Sequence, residues 1–115
     1  MARRRFVSPA FFSDERFRGL PHSHRLAYLG IATQADREGR FCPNPVTLHA
    51  AIFPDDPLID FVGILDDLED RGAIRTYTSH RKRYGVVVRW KDEQPPHPSE
   101  LSSRRPAPPA AGGNP

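Results

Sequence analysis

The pattern of hydrophobic positions predicts three helices in the first 71 residues. Over residues 21–35, apolar side chains occupy most of a helix circumference, which is typical of a buried central helix. Asn44 followed by Pro45 is a typical helix start, and it predicts a second helix ending near Phe53. A third helix is predicted over 57–71, with one apolar face. That face consists of Leu58, Phe61, Val62, Leu65 and Leu68.

After Gly72 the pattern changes to that of β-strands. Residues 74–79 and 84–90 are rich in β-branched and aromatic side chains, and the second run alternates with a period of two. Residues 80–83 between them predict a hairpin turn, and 40–42 predicts a short strand that pairs with this hairpin, which we call the wing. The order helix, short strand, helix, helix, strand, strand predicts an α+β fold. Its type is a winged helix-turn-helix, with a three-helix core and a small antiparallel sheet.

The composition divides the chain into an ordered body and a tail. Seven of the 13 prolines lie at or after Pro95, together with alanine, serine and glycine. Such a segment has too few apolar residues to pack, so it is expected to be disordered or polyproline-like. We therefore predict a domain over residues 1–94 with a basic N-terminal arm, and a disordered tail over residues 95–115.

Charge is sorted along the chain more strongly than the net value of +3 suggests. Three arginines and no acid lie in residues 1–5, and six cations and no acid lie in residues 75–91. Residues 55–71 carry seven acids and one arginine. Because a basic surface attracts phosphates and an acidic one repels them, the two ends of the body are the expected nucleic-acid contacts.

Several short motifs carry a resemblance to a known family. They are Ala2-Arg3-Arg4-Arg5, Pro9 to Glu15, Leu20-Pro21 with Arg25-Leu26, Ala35 to Arg40, Asn44-Pro45, Ile52-Phe53-Pro54, and Leu68 to Ile74. In this order they resemble the N-terminal winged-helix domain of phage and prophage replication proteins, the replisome organisers. The resemblance covers roughly residues 2–98 and implies origin or duplex DNA binding during replication.

The wing is the first candidate for contact with double-stranded DNA, because long cationic side chains at a hairpin tip reach phosphates or the minor groove. The basic arm is the second candidate, and Arg25, with His22 and His24, lies at the start of the central helix. The predicted DNA-binding residues are Arg3, Arg4, Arg5, Arg25, Arg75, Arg81, Lys82, Arg83, Arg89 and Lys91.

The third helix is poorly charged for a recognition helix. The side opposite Phe61 and Leu65 carries acids, which oppose the electrostatic part of DNA affinity. In a helix-turn-helix the third helix normally enters the major groove. This third helix is therefore not expected to lie deep in that groove. The alternative role of this side is docking of a basic protein partner, through Asp60, Asp67 and Asp70.

The sequence offers no signature of catalysis. It has no nucleophile motif and no phosphate-cradling glycine loop, and its single cysteine, Cys42, is expected to be a small buried side chain. We predict no enzyme activity, no metal site and no cofactor. No apolar run is long enough to cross a membrane, so a cytoplasmic location is expected.

Two other functions are consistent with the same pattern. The first is a protein-interaction winged helix that uses its acidic third helix, and the second is a phage transcription regulator, since many functions share this fold. Double-stranded DNA is the main expected partner. The others are a basic protein, replication proteins and a second copy of the chain as a homodimer.

Overall fold

A computed structural model describes residues 3–109 of the 115-residue chain as a mixed α+β fold. Two short 3-10 helices, Pro9–Ser13 and Glu15–Phe17, precede the regular elements. These are α1 (His22–Gln34), β1 (Arg40–Phe41), α2 (Pro45–Ile52), α3 (Phe61–Asp70), β2 (Ile74–Ser79), β3 (Lys82–Val87) and α4 (Trp90–Glu93). The strands form one antiparallel sheet in the order β1-β3-β2, so the predicted pairing of the short strand with the hairpin is confirmed.

The central helix α1 buries one side, as Ala27, Tyr28 and Ile31 show, whereas its Leu26 is 53% exposed. Tyr28 of α1 stacks on Phe11 and meets the edge of Phe17, so the two 3-10 helices pack on it through aromatic rings. Gly30 faces α2, where a Cβ atom would lie 2.6 Å from the side chain of Ile52. A larger residue at this position would require the Ile52 side chain or the spacing of the two helices to shift.

Helix α3 begins later than the sequence predicts, and its apolar face is narrower. Asp60 caps α3 by accepting from the N–H of Gly63 at 3.0 Å, whereas Asp56 accepts from Leu58 N–H in a preceding turn. Leu58 therefore lies outside the helix and is 90% exposed, and Val62 is 56% exposed. The predicted apolar face is therefore wrong for these two residues and is confirmed for Phe61, Leu65 and Leu68. The buried residues of α3 are Phe61, Ile64, Leu65 and Leu68.

The hairpin turn is shorter than predicted. Only His80 and Arg81 connect β2 to β3, and both have positive φ values, 51° and 66°. Two consecutive left-handed residues form the type I′ turn that matches the twist of a tight hairpin. Lys82 and Arg83 consequently belong to β3 rather than to the turn.

The second strand of the wing ends before Trp90. Strand β3 stops at Val87, and Trp90 instead begins α4, a short helix absent from the sequence-based prediction. The indole of Trp90 is buried and donates to the carbonyl of Arg37 at 2.6 Å. This side chain fixes the connection between α1 and β1 against the end of the wing.

Residues 95–109 have no helix or strand, yet they lie against the body. Glu100 pairs with Arg5 at 2.9 Å, and Ser103 donates its N–H to Glu38 at 2.7 Å. Tyr77 of the sheet donates to the carbonyl of Pro106 at 2.7 Å. Polar groups rather than apolar ones place these residues beside the body. The disordered tail over residues 95–115 stays a prediction. Residues 110–115 lie outside the described part of the chain.

No helix in residues 3–109 is both long and apolar enough to cross a membrane.

Candidate nucleic-acid interface

The tip of the wing presents consecutive cations to solvent. His80, Arg81, Lys82 and Arg83 are all exposed. Arg83 donates to the hydroxyl of Thr76 at 2.7 Å across the hairpin, and the Lys82 ammonium lies 5.8 Å from the centre of the Tyr84 ring. These contacts orient Arg83 and Lys82, and none of the four basic side chains has a carboxylate partner within residues 3–109.

The wing sheet has one apolar face and one basic, aromatic face. Residues paired across antiparallel strands point to the same side, so the register assigns each side chain. Ile74, Val87 and Phe41 point into the core. The opposite side, which we call the outer face, carries Arg40, Arg75, Tyr77, Lys82 and Tyr84.

Tyr77 and Tyr84 stack on the outer face with ring centroids 5.7 Å apart and an interplanar angle of 25°. Tyr77 is buried beneath the C-terminal segment, and that burial raises the pKa of its hydroxyl. Neither tyrosine was predicted as a site residue from the sequence. Side chains alternate between the two sides of each strand, and the two tyrosines fall on the same side once the strands are paired. That alternation is the signal that could have identified their shared face.

The N-terminal arm is attached to the body rather than free. Arg5 donates to the carbonyls of Ala32 and Ala35, both at 2.9 Å, and pairs with Glu100. Its guanidinium also lies 4.7 Å over the ring of Trp90, and the side chain is only 7% exposed. Arg5 is therefore a poor candidate for DNA contact, because its guanidinium is already bonded within the fold.

The other two arm residues remain closer to solvent. The backbone N–H of Arg3 donates to Thr33 O at 2.9 Å, and its side chain lies 3.8 Å from Glu100. Arg4 is exposed. Of the predicted arm, Arg4 is thus the residue best placed to meet a ligand, and Arg3 is partly engaged.

The start of α1 serves packing rather than phosphate contact. His24 is buried, with its Nε2 2.8 Å from a carboxylate oxygen of Asp67, so it connects α1 to α3. The Arg25 guanidinium lies 5.8 Å from the centre of the Phe17 ring, and its buried Nε has no hydrogen-bond partner among the described residues. Arg25 and His24 are consequently poor candidates, whereas His22 is exposed.

Arg89 and Lys91 do not join the wing tip. Both are exposed at the beginning of α4, and Arg89 lines a cavity of about 880 Å³ together with Asp14 and Asp92. The acids in this cavity oppose phosphate binding by Arg89. Both cations follow the end of β3, whereas Lys82 and Arg83 begin it.

A buried polar network forms one wall of the same cavity. Arg16 pairs with Asp14 at 2.7 Å and with Glu93 at 2.8 Å, and the hydroxyl of Tyr28 donates to Glu93. The hydrogen bond from Arg16 lowers the pKa of Asp14. Burial, reinforced by Glu93, raises the pKa of Tyr28. Burial opposes the charged form of Arg16, but its bond to Asp14 prevails and raises its pKa. The network joins the 3-10 helices to α4.

A second groove, of about 680 Å³, lies between the wing and residues 99–105. It is lined by six basic residues from four parts of the chain, and by two acids, Asp36 and Glu100. The basic residues are Arg3, Arg37, Lys82, Arg83, Arg104 and Arg105. Three of them, Arg37, Arg104 and Arg105, were not predicted from the sequence, because only the folded chain brings them to the wing.

The acidic residues of α3 have three different environments. Asp60 is occupied as the helix cap, and Asp67 holds His24. Asp70 is exposed, as is Asp66 one turn before it. The predicted partner surface of Asp60, Asp67 and Asp70 is therefore only partly available, because the first two carboxylates have structural bonds.

Cys42 is exposed, so the prediction of a buried cysteine is wrong. It follows Phe41, which points into the core, and the alternation of the strand turns Cys42 outwards into the basic groove. Among residues 3–109, His, Cys, Asp and Glu side chains form no group of three arranged to hold a metal ion.

Comparison with protein-family models, with curated proteins and with solved structures gives no match. A function for the interface must therefore follow from its own geometry and charge.

Proposed function

We propose that the chain is a winged-helix protein that binds double-stranded DNA, and that it acts in phage-type replication initiation or replisome organisation. The element order helix, strand, helix, helix, strand, strand and the sheet order β1-β3-β2 support a winged helix. The sequence resemblance to phage replisome organisers supports the replication role. In this proposal the chain is a binding protein and not an enzyme.

The observation that carries the proposal is the cationic tip of the wing. Arg81, Lys82 and Arg83 are exposed on a hairpin whose strands are fixed by the sheet, and none has an ion pair among the described residues. Phosphate contacts of this kind supply most non-specific DNA affinity. Arg75 extends the same basic surface along β2.

The exposed acids of α3 limit how the protein approaches DNA. Asp66 and Asp70 would lie near phosphates if α3 were inserted along the major groove. The proposed contact is therefore through the wing, with α3 turned away from the phosphate backbone of the DNA.

Replacement of the wing cations tests this proposal. Arg81→Gln, Lys82→Gln and Arg83→Gln together should remove up to three phosphate contacts while leaving the stems in place. The slope of log affinity against log salt concentration should then become shallower by roughly 2–3, at about 0.9 per contact. Fluorescence anisotropy on two unrelated duplexes measures it, and the loss should be similar on both because phosphate contacts carry no sequence information.

Arg18→Gln is the matched control, because Arg18 is 76% exposed and its only ion pair among residues 3–109 is a 3.7 Å contact with Glu15. It should leave the slope unchanged. If the wing variant binds duplex as the native chain does, the proposed contact is wrong. If the wing variant does lose affinity, mapping the sites that the native chain binds distinguishes replication from transcription regulation, since origins and promoters are different targets.

A protein-interaction function is the second candidate, and the exposed side of α3 favours it. Val62 is 56% exposed with the exposed Asp66 one turn later, and Leu58 precedes them at 90% exposure. Apolar and acidic side chains together suit a basic amphipathic segment. This candidate gains support if the wing variant leaves duplex binding unchanged.

A further inference from the structure

The groove between the wing and residues 99–105 is lined by six basic residues and only two acids. One wall consists of the start of β3 and the α1–β1 connection, and the other is the C-terminal segment. Its two acids are already paired, Asp36 with Arg105 at 3.0 Å and Glu100 with Arg5 at 2.9 Å. Of the six basic residues that line the groove, Arg3 and Arg105 lie within ion-pair distance of these acids, and the other four have no ion pair within residues 3–109. They are Arg37, Lys82, Arg83 and Arg104.

The C-terminal wall is held in place by several bonds. Ser103 donates its hydroxyl to Asp36 at 2.5 Å, and Arg40 donates to the carbonyl of Arg105 at 2.6 Å. With the bond from Tyr77 to Pro106, these contacts fix residues 103–106 beside the sheet. Arg104 lies between the anchored residues and is exposed. The segment therefore adds a charge to the groove without using that charge to attach itself.

We propose that this groove binds an unpaired strand of nucleic acid next to the duplex held by the wing. The inference rests on the proposed function, because Lys82 and Arg83 belong to both surfaces. A volume of about 680 Å³ is in the range of clefts that hold small molecules, so it accepts a nucleotide or two and excludes a double helix. Backbone phosphates would meet Arg37 and Arg104.

The aromatic lining favours nucleic acid over an acidic peptide. Tyr84 lines the groove, and its ring offers a base a stacking surface once the Lys82 ammonium turns to a phosphate. A positive groove with an aromatic platform is the usual arrangement for single strands. Continuity with the wing gives the strand a direct path from duplex to groove.

The first test compares a blunt duplex with the same duplex carrying an overhang of about six thymidines, a typical single-strand site size. The overhang should raise affinity by about tenfold and steepen the salt slope by about 1.4, at about 0.7 for each of two arginines on a single strand. Arg37→Gln with Arg104→Gln should abolish that difference and leave blunt binding unchanged. Arg18→Gln should alter neither.

The second test uses the native chain, because its single cysteine lines the groove and is exposed. The rate of maleimide labelling at Cys42 should fall when the overhang duplex is bound and should be unaffected by the blunt duplex. A chain that binds blunt duplex but shows neither extra affinity nor Cys42 protection with the overhang overturns the inference and leaves the proposed function standing.

Two further experiments distinguish a single strand from an acidic peptide as the ligand of the groove. If an oligothymidine protects Cys42 but the chain does not bind duplex, the result supports strand binding in the groove and contradicts the wing proposal. Polyglutamate of matched charge should not displace the overhang at equal concentration. If it does so as well as oligothymidine, the groove is a site for acidic peptides and the inference is wrong.

Discussion

The Arg5–Glu100 pair joins the two ends of the described chain through side chains that are 7% and 4% exposed. A charge that is nearly buried is strongly destabilising when its partner is removed, because desolvation remains uncompensated. The hydrogen bond from Arg5 lowers the pKa of Glu100 below its ordinary value of 4.5. The pair therefore makes folding stability depend on pH.

The sign of that dependence follows from which state binds the proton. Because the pKa of Glu100 is lower in the folded state, its contribution is fully present above about 4.5 and is lost as pH falls through the folded value. The free energy of unfolding of Glu100→Gln should thus fall less between pH 7 and pH 3 than that of the native chain. Urea titrations at both pH values measure this, with exposed Glu15→Gln as the control. Equal pH dependence in native chain and variant would contradict the assigned pair.

Two leucines of the predicted apolar face should respond differently to truncation. Leu68 is 0% exposed and Leu58 is 90% exposed. Leu68→Ala should cost about 2–5 kcal/mol of unfolding free energy through lost contacts and a cavity. Leu58→Ala should change it by no more than about 0.5 kcal/mol. Chemical denaturation compares them, and similar losses would mean that residues 57–60 belong to the buried helical face.

At the scale of elements, the hairpin turn has a conformation that its residues disfavour. His80 and Arg81 have φ values of 51° and 66°, where asparagine and glycine are the usual occupants. Each side chain in the left-handed region costs about 1 kcal/mol or more. A strained cation at an exposed tip is a signal of function rather than of stability.

Relief of that strain should separate stability from binding. Arg81→Gly should raise the free energy of unfolding by roughly 0.5–1 kcal/mol, because glycine takes positive φ without steric cost. The same change should make the salt slope of duplex binding shallower by about 0.9. Thermal denaturation and anisotropy measure the two effects. Arg81→Lys keeps both strain and charge, so a stabilised lysine variant would contradict the explanation.

At the scale of the whole molecule, the C-terminal segment is part of the fold. It supplies Glu100 to Arg5, Ser103 to Glu38, and the Pro106 carbonyl to Tyr77. These contacts link the N-terminal residues, the α1–β1 connection and the sheet. The same segment forms one wall of the basic groove, so stability and the proposed strand binding share it.

Truncation after Pro98 should therefore destabilise the chain. The nearly buried guanidinium of Arg5 would lose its carboxylate, and Tyr77 would lose its acceptor, for a cost of about 3 kcal/mol. The reference is a chain ending at Pro109, which keeps every described contact. Comparing their urea midpoints and m-values measures the loss, and coincident unfolding curves would show that residues 99–106 do not contribute.

The sequence by itself determined the order and type of the elements from α1 to β3, but not α4. Periods of 3.6 and two residues, with the start signals at Asn44 and Pro45, are local properties that burial of one face enforces. It also located the exposed cations of the wing, because consecutive arginines and lysines without a paired acid stay in solvent. Replication and duplex binding, which rest on the resemblance and on charge, stay predictions.

Only the tertiary structure decided what depends on residues far apart in the chain. Arg5 and Glu100 look like parts of two free ends until the fold places them 2.9 Å apart, and Arg37 and Arg104 share a groove although 67 positions separate them. Leu58 and Val62 fit the buried period but face solvent, since packing partners and not spacing select the stripe. Such contacts depend on where the chain returns in space, which no local pattern encodes.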